Sequence, residues 1–590
     1  MFLANIFTFY YYIRIYIFHI NKYNLKENQS KNKLIAENFF IIDSNNLETI
    51  ESHMYGFTIS KTGILTNNYY KNIGYYEEPD LQGAYVMIRK NGNEIRISQD
   101  FYGSFGLYFY ENKNIEYFAL SNSFLMLEEY LLEKQNISFN KDFADNFIIS
   151  SLCTPSIYET LIKEIIKLAS NTVVIINTER KDLKIFYIDY EENTVPLESK
   201  EGLSIIDKWV DKWGYIIRSL QKKTNNFSFD LSGGFDSRIT LALLIGSGID
   251  IKNISFRSVN DKKFVHDEDF KIANNISSKF GFKLNEKHLE NESIMWSARD
   301  TLFCTIYSKL GIHKEFYLKN QYYIKPRFIF TGNGGETIRG NPDSPIKKYL
   351  EKISTQGIKS FNNKKDFYNS SMKLCKRSVD LLKKGKTFDN DYEISSEFYS
   401  KGRARNHFGK SAVEGFIANI YFIQPLIDPD IQRIKFNISG KNSHDLMAYI
   451  YLRYAPELIL FPFQGNRALN SESIKKAEKL NNLNYPYKIK FEYNKNFYID
   501  IERKSPVPSS NEKNNVNYYV KKIFQGSHFF EIIHKFYNKD VYEWAKEYSK
   551  NNTYFPLRHV YGLLAVAMTI DYITFNKRPN NSILIEFFNK

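Results

Sequence analysis

Two serines, two glycines and an aspartate crowd into Ser232-Gly233-Gly234-Phe235-Asp236-Ser237. Tandem glycines let a backbone turn tightly and aim its amides at an anion, and serine hydroxyls add further donors. The flanks say where this turn sits. Phe227-Ser228-Phe229-Asp230-Leu231 alternates as a buried strand does, and Ile239-Thr240-Leu241-Ala242-Leu243-Leu244 continues as a helix. A glycine-rich turn at a helix N-terminus combines free N–H groups with the positive end of the helix dipole. Asp236 puts a carboxylate beside that anion site, an arrangement that calls for a metal ion between the two negative groups. The chemistry is therefore recognition of phosphate groups together with a divalent cation. This loop is not a Walker A loop, which needs Gly-Lys-Ser/Thr after a longer spacer.

A second constellation lies about one hundred residues on. Arg327-Phe328-Ile329-Phe330 reads as a buried strand and runs into Thr331-Gly332-Asn333-Gly334-Gly335-Glu336-Thr337. A glycine-rich turn is weak alone, but here it follows a strand and carries an acid. Between the two constellations, Ile251-Lys252-Asn253-Ile254-Ser255-Phe256 reads as a short strand. His266-Asp267-Glu268-Asp269 opens a helix running to Phe280-Gly281. That acidic cluster fits a helix N-terminus as well as it fits a site.

Ser-Gly-Gly-Phe-Asp-Ser resembles the pyrophosphate loop of the ATP pyrophosphatases, specifically the asparagine synthetase and β-lactam synthetase family. Thr331–Thr337 resembles that family's Ser-Gly-x-Gly-x-Asp-Glu element. The resemblance implies an enzyme that activates a carboxylate as an acyl adenylate, splitting ATP into AMP and pyrophosphate, before an amine or ammonia attacks. It implies nucleotide contacts from Leu231, Ser232, Gly233, Gly234, Asp236 and Ser237, from Ser255 and Phe256 against the adenine, and from Gly332 against the ribose and α-phosphate. Asp236 and Glu336 would hold magnesium. Upstream, Asp100-Phe101-Tyr102-Gly103, Leu107-Tyr108-Phe109-Tyr110 and Phe118-Ala119-Leu120-Ser121 loosely resemble the family's class II glutamine amidotransferase half.

Several positions depart from the family pattern. Its amidotransferases begin Met-Cys, whereas residue 2 here is Phe2 and the first cysteine is Cys153. The expectation is a retained fold without glutaminase activity, since the thiolate is the nucleophile. Glu336 stands for an aspartate and Thr337 for a glutamate. Asn333 occupies a place where family members carry groups that touch the acceptor, and an amide cannot serve as general base. Gln424-Pro425-Leu426-Ile427-Asp428 matches the Pro-Leu-x-Asp part of the pocket-closing element, with Glu414 as its acid candidate. The family's late lysine is missing from Phe461-Pro462-Phe463-Gln464-Gly465-Asn466-Arg467, and Arg467 is the replacement cation.

The elements needed to position these groups are legible. Ala84–Arg89, Glu94–Ser98 and Asn171–Ile176 read as strands, with Asn91-Gly92 as a hairpin turn. From about residue 201 helices alternate with short strands, and 345–400 reads as helical. Residues 470–520 are polar, with Ser505–Ser510 as a flexible loop. The expected architecture is α/β: an α+β, Ntn-like antiparallel sandwich over 1–195, then a Rossmann-like parallel-sheet ATP pyrophosphatase domain of the adenine nucleotide α-hydrolase type over 201–590.

At 590 residues, 43% hydrophobic and 25% charged, the chain has the composition of a soluble globular protein. Its net charge of +14 comes from lysines spread along the chain, not from a basic stripe, so no nucleic-acid partner is expected. Three scattered cysteines form no disulfide framework and fit the cytoplasm. Met1–Ile20 reads as a strand pair, with a membrane segment as the alternative; Arg14 and His19 interrupt it, and no membrane partner is expected. The substrate class is a small-molecule, sugar or peptide carboxylate, and a homodimer stays open. A catalytically decayed ATP-binding homologue with a regulatory role, or another adenylating enzyme of this loop class, are the alternatives.

Overall fold

The computed structural model describes residues 37–500 apart from short internal stretches, together with a few helical residues between 531 and 569. Met1–Ile20 and the Ser505–Ser510 loop lie outside the described residues, as does Phe2.

The first half is built on two antiparallel sheets. One runs through Asp182–Tyr187, Thr172–Asn177, Glu94–Gln99, Gly83–Asn91, His53–Ile59 and Gly63–Leu65. The other runs through Ile41–Asp43, Tyr117–Ser121, Tyr108–Asn112 and Ile165–Lys167. Strand periodicity explains the core between them: Val86 and Ile88 join the residues shared with the second sheet, while Tyr85 and Met87 pack with Met54 and Tyr70 on the other side. Asn91-Gly92 makes the hairpin turn, with Gly92 at φ 55°. Residues from far along the chain close this half. Tyr498–Ile499 pairs in parallel with Gly63–Leu65, and the Asp500 carboxylate accepts the amides of Thr66 and Tyr69.

The second half carries a four-stranded parallel sheet: β1 (Phe227–Asp230), β2 (Phe256–Arg257), β3 (Arg327–Phe330) and β4 (Ile420–Ile423), in the spatial order β2-β1-β3-β4. The chain leaves β1 for β2 on one side and then crosses to β3 on the other. The C-terminal ends of β1 and β3 therefore border the point where the winding reverses, where ligands bind in open α/β sheets. The helix α1 (Lys200–Gln221) is capped by Ser199, whose hydroxyl accepts from Gly202 N–H, and buries Ile206, Trp209, Trp213, Ile217 and Leu220 along one stripe. Its tryptophans reach across to the segment after β4: Trp209 Nε1 donates to Pro425 O (3.0 Å) and Trp213 Nε1 to Asp428 Oδ2 (2.8 Å). The helices α2 (Phe235–Gly246), α3 (His266–Phe280) and α4 (Asp445–Tyr454) pack around the sheet.

One expected strand shrinks, and two elements go beyond the sequence reading. Ile251–Phe256 is a single turn, Ile251–Asn253, followed by only two strand residues, because the Asp250 carboxylate captures the Lys252 amide and starts a turn. Within 470–520, Ser471–Leu483 is a helix: Asn470 caps it, and Ser473, Ala477 and Leu480 line a buried face. Between 399 and 409 the backbone winds as a π-helix, a form rarely sustained for eleven residues. From it Arg405 plugs the first half, donating to Gly103 O (3.1 Å), Leu168 O (2.7 Å) and Gln99 Oε1 (3.4 Å). Gly103, at φ 62°, leaves room for that guanidinium, since a Cβ there would lie 2.6 Å from Arg405 Nη2. No helix among the described residues is long and apolar enough to cross a membrane.

Candidate functional site

β1 ends at Asp230 and delivers the first loop to the start of α2. The loop is cross-braced internally. Ser232 N–H donates to Ser237 Oγ (3.0 Å), and Gly234 N–H donates to Ser232 Oγ (3.2 Å). Gly233 N–H donates to Asp269 Oδ1 (2.9 Å) at the start of α3, so the acidic cluster of that helix touches the loop itself. A side chain at 233 has no room: its Cβ would lie 2.8 Å from Ile272 Cδ1 and 2.9 Å from Asp269 Oδ1. α2 begins with Gly234 in the N-cap position and no side-chain cap, which leaves its first turn as the donor face toward an anion.

The second loop leaves β3 and folds directly against the first. Its glycines are the contact surface. A Cβ on Gly332 would come within 2.5 Å of Ser237 N, and one on Gly335 within 2.4 Å of Asp236 Cβ and Cγ. This approach brings Glu336 beside Asp236. Burial first, and the Asp236 charge second, push the Glu336 carboxyl up to about 7. Asp236 is also raised by burial, against the pull of Arg339 and Arg467. Asp236 Oδ1 and Glu336 Oε2 are both shut off from solvent and have no hydrogen-bond partner among the described residues. Two part-buried carboxylates of like charge, each with one oxygen shut off and orphaned, form a place that a cation would stabilise.

Positive groups converge on the same spot. Arg339 Nη2 lies 3.3 Å from Asp236 Oδ2. The guanidiniums of Arg339 and Arg467 lie 5.8 Å and 5.1 Å from the centroid of the Phe235 ring. His444 packs on that ring at 5.0 Å. Burial, then Arg339 and Arg467, hold His444 down at about 4, so it is neutral. Arg467 itself is exposed and tied to its own loop, donating to Gln464 O (2.7 Å) and Gln464 Oε1 (2.6 Å). The loop is held in turn by Gln464 N–H donating to Gly233 O (3.0 Å) and Gly465 N–H donating to Glu268 Oε1 (2.8 Å). Arg339 and Arg467 thus stand among the carboxylates of Asp236, Glu268 and Asp269, which places both signs of charge beside the two loops.

Sequence reasoning missed Arg339, His444 and Arg238. A signal existed for the first: Glu336 and Arg339 are three residues apart, and the single turn Thr337–Arg339 brings the arginine back over the loops. Arg238 carried no visible cue. It is fully buried and donates to Leu458 O (3.3 Å), Phe461 O (3.1 Å), Gly233 O (3.2 Å) and Pro462 O, stitching residues 458–462 to the first loop.

Other candidates are placed away from this centre. Phe256 is wholly buried between Phe229 and Phe282, and the carbonyls of Ser255 and Phe256 accept from Phe229 N–H and Asn285 N–H, so neither residue offers a free polar edge through its carbonyl. Leu231 is a core residue. Glu414 forms a buried ion pair with Lys309, and Asp428 anchors Lys212 (2.7 Å) and Trp213. Thr337 Oγ1 donates to Gly334 O (2.6 Å), bracing the second loop from within.

No group of three or more His, Cys, Asp or Glu that could hold a metal gathers among the described residues. Magnesium, however, is commonly held by one or two carboxylates together with substrate phosphates and water, and the orphaned oxygens of Asp236 and Glu336 fit that donor set. The raised Glu336 carboxyl has a consequence in the ligand-free protein. Its folded value, about 7, lies above the ordinary 4.5, so the native state prefers the neutral acid and loses stability as pH rises through that window. Glu336→Gln should therefore flatten the pH dependence: urea midpoints should match wild type at about pH 4 and exceed it at about pH 8. Parallel curves for the two proteins would show that the carboxyl is not raised.

No family model matches this chain, and no curated protein matches it.

Proposed function

We propose that this protein is an ATP-dependent amide-bond-forming ligase of the asparagine synthetase type. In this reading the first half is an Ntn-like amidotransferase-type sandwich and the second a Rossmann-like ATP pyrophosphatase domain. The observation that carries it is the meeting of two glycine-rich loops at adjacent parallel strand ends, with Asp236 Oδ1 and Glu336 Oε2 orphaned between arginines.

The chemistry is the one that the family resemblance implies. A carboxylate oxygen attacks the α-phosphorus of ATP, and the bond to the bridging oxygen breaks, giving an acyl adenylate and pyrophosphate. An amine or ammonia then attacks the acyl carbon, loses a proton and expels AMP. The first turn of α2, Ser232 and Ser237 would hold the phosphates by hydrogen bonds. Asp236 and Glu336 would hold magnesium, which when bound neutralises charge building on the departing pyrophosphate. Gly332 and Gly335 let the loops close to within reach of one ligand. Most of the acceleration would come from in-line positioning and fixed charge.

ATP–pyrophosphate exchange measured against a panel of small, sugar and peptide carboxylates tests this. Exchange that depends on one class of carboxylate supports the ligase. A second reading, an ATP-binding homologue without turnover, is favoured by one observation: the amides of Ser232, Gly233 and Gly234 are all bonded within the protein. ATP binding without exchange for any carboxylate would support that reading instead.

The nitrogen donor in this proposal is free amine or ammonia. The three cysteines of the sequence are buried, and burial pushes the Cys375 thiol up to about 12, far from a thiolate. With ATP and a competent carboxylate, ammonia or an amine should yield AMP in step with amide. Glutamate released from glutamine in step with AMP would contradict this.

A further inference from the structure

The cation expected from the sequence to serve the phosphates is Arg467, yet its guanidinium faces solvent and is committed twice to Gln464. Arg339 is set differently. Its side chain is 18% exposed, and it sits on the turn that follows Glu336, against the first loop. Its contact with Asp236 is loose. At 3.3 Å it is longer than the 2.7–2.9 Å usual for a charge-assisted bond, and it engages only Oδ2. Among the described residues, the pair leaves Asp236 Oδ1 without a partner on one side and the buried Arg339 Nε without one on the other. A guanidinium holding one carboxylate oxygen while keeping a second donor spare is poised to exchange partners. A planar fork also matches two oxygens of a pyrophosphate, which a lysine does not.

Resting on the ligase reading above, we propose that Arg339 is a catalytic residue with two partners: it pairs with Asp236 when the site is empty, and it bonds the β-phosphate side of the departing pyrophosphate when the carboxylates hold a cation. In the empty state the guanidinium stands in for the metal and offsets part of the repulsion between Asp236 and Glu336. With a cation held by Asp236 and Glu336, Arg339 would be free to turn toward the leaving group. No proton changes hands in this exchange; one set of hydrogen bonds replaces another as the bond from the α-phosphorus to the bridging oxygen breaks.

The exchange makes opposite demands on two ligands, which a merely structural arginine would not. Manganese alone, followed by its electron paramagnetic resonance, should bind Arg339→Gln more tightly than wild type by about fivefold or more, because a competing positive charge within hydrogen-bond reach is gone. Pyrophosphate with magnesium, followed by titration calorimetry, should bind the same variant about 10- to 100-fold more weakly, the loss of one or two charged hydrogen bonds. Arg339→Lys, which keeps the charge but not the fork, should leave manganese affinity near wild type and lose part of the pyrophosphate affinity. Arg467→Gln should weaken pyrophosphate less than Arg339→Gln does. Circular dichroism and thermal unfolding check that each variant is folded, and Arg339→Lys carries the test if Arg339→Gln is not. If both affinities of the folded Arg339 variants stay within twofold of wild type, or if Arg467→Gln costs more pyrophosphate affinity than they do, the proposal is overturned. Wild type that binds neither manganese nor pyrophosphate would overturn the ligase reading beneath it, a different outcome from intact wild-type binding that Arg339 does not influence.

Discussion

Asp236→Ala should abolish magnesium-dependent release of pyrophosphate from ATP while the protein stays folded. Asp236 supplies one of the two carboxylates that the meeting of the loops brings side by side, and among the described residues its Oδ1 has no partner. Losing a group aimed at developing charge commonly costs about 100- to 1,000-fold in rate. The fold should tolerate the change, because burial already works against this carboxylate and its one ion pair, to Arg339, is loose. Circular dichroism and a urea melt establish folding, and a coupled pyrophosphate assay reads the rate. Equal release by folded variant and wild type would remove Asp236 from the mechanism.

Gly335→Ala should be nearly as damaging although it removes no functional atom. The new Cβ would fall 2.4 Å from Asp236 Cβ and Cγ and 2.5 Å from its Oδ1, so the loops must separate. Displacing reacting groups by about 1 Å can cost roughly 100-fold in rate, and forcing a methyl group into a packed contact costs about 1–3 kcal/mol of stability. A fall in both pyrophosphate release and urea midpoint is the expected result. Wild-type rates would show that the loops need not touch for activity.

Much of the site was legible because it is local in the chain. The run from Phe227 to Leu244 is strand, turn and helix within eighteen residues, and glycine chemistry points to its ligand without any tertiary information. The hairpin at Asn91-Gly92 is local in the same sense. The pairing of Asp236 with Glu336 needed a tertiary fact, the adjacency of β1 and β3, which the motif order suggested and the register supplies. Arg238 was invisible for the same reason, and Arg339 was passed over despite its spacing from Glu336: a charged residue in a helix or turn reads as surface until its carbonyl or carboxylate partners are brought over it. Phe256 erred the other way. It sits at a strand end, but the ring turns into the core between Phe229 and Phe282. The strand at Tyr498–Ile499 could not be read at all, since two residues in a polar stretch carry no periodicity and their partner is more than four hundred residues away.

The central claim is that Asp236 and Glu336 share one cation beneath a triphosphate held by the first loop. The most direct measurement is anomalous diffraction from crystals grown with manganese and a non-hydrolysable ATP analogue. The account predicts a manganese peak between the two carboxylates, with the phosphates over the start of α2 and Arg339 turned from Asp236 toward them. Manganese and nucleotide bound elsewhere, with Asp236 still paired to Arg339, would contradict it.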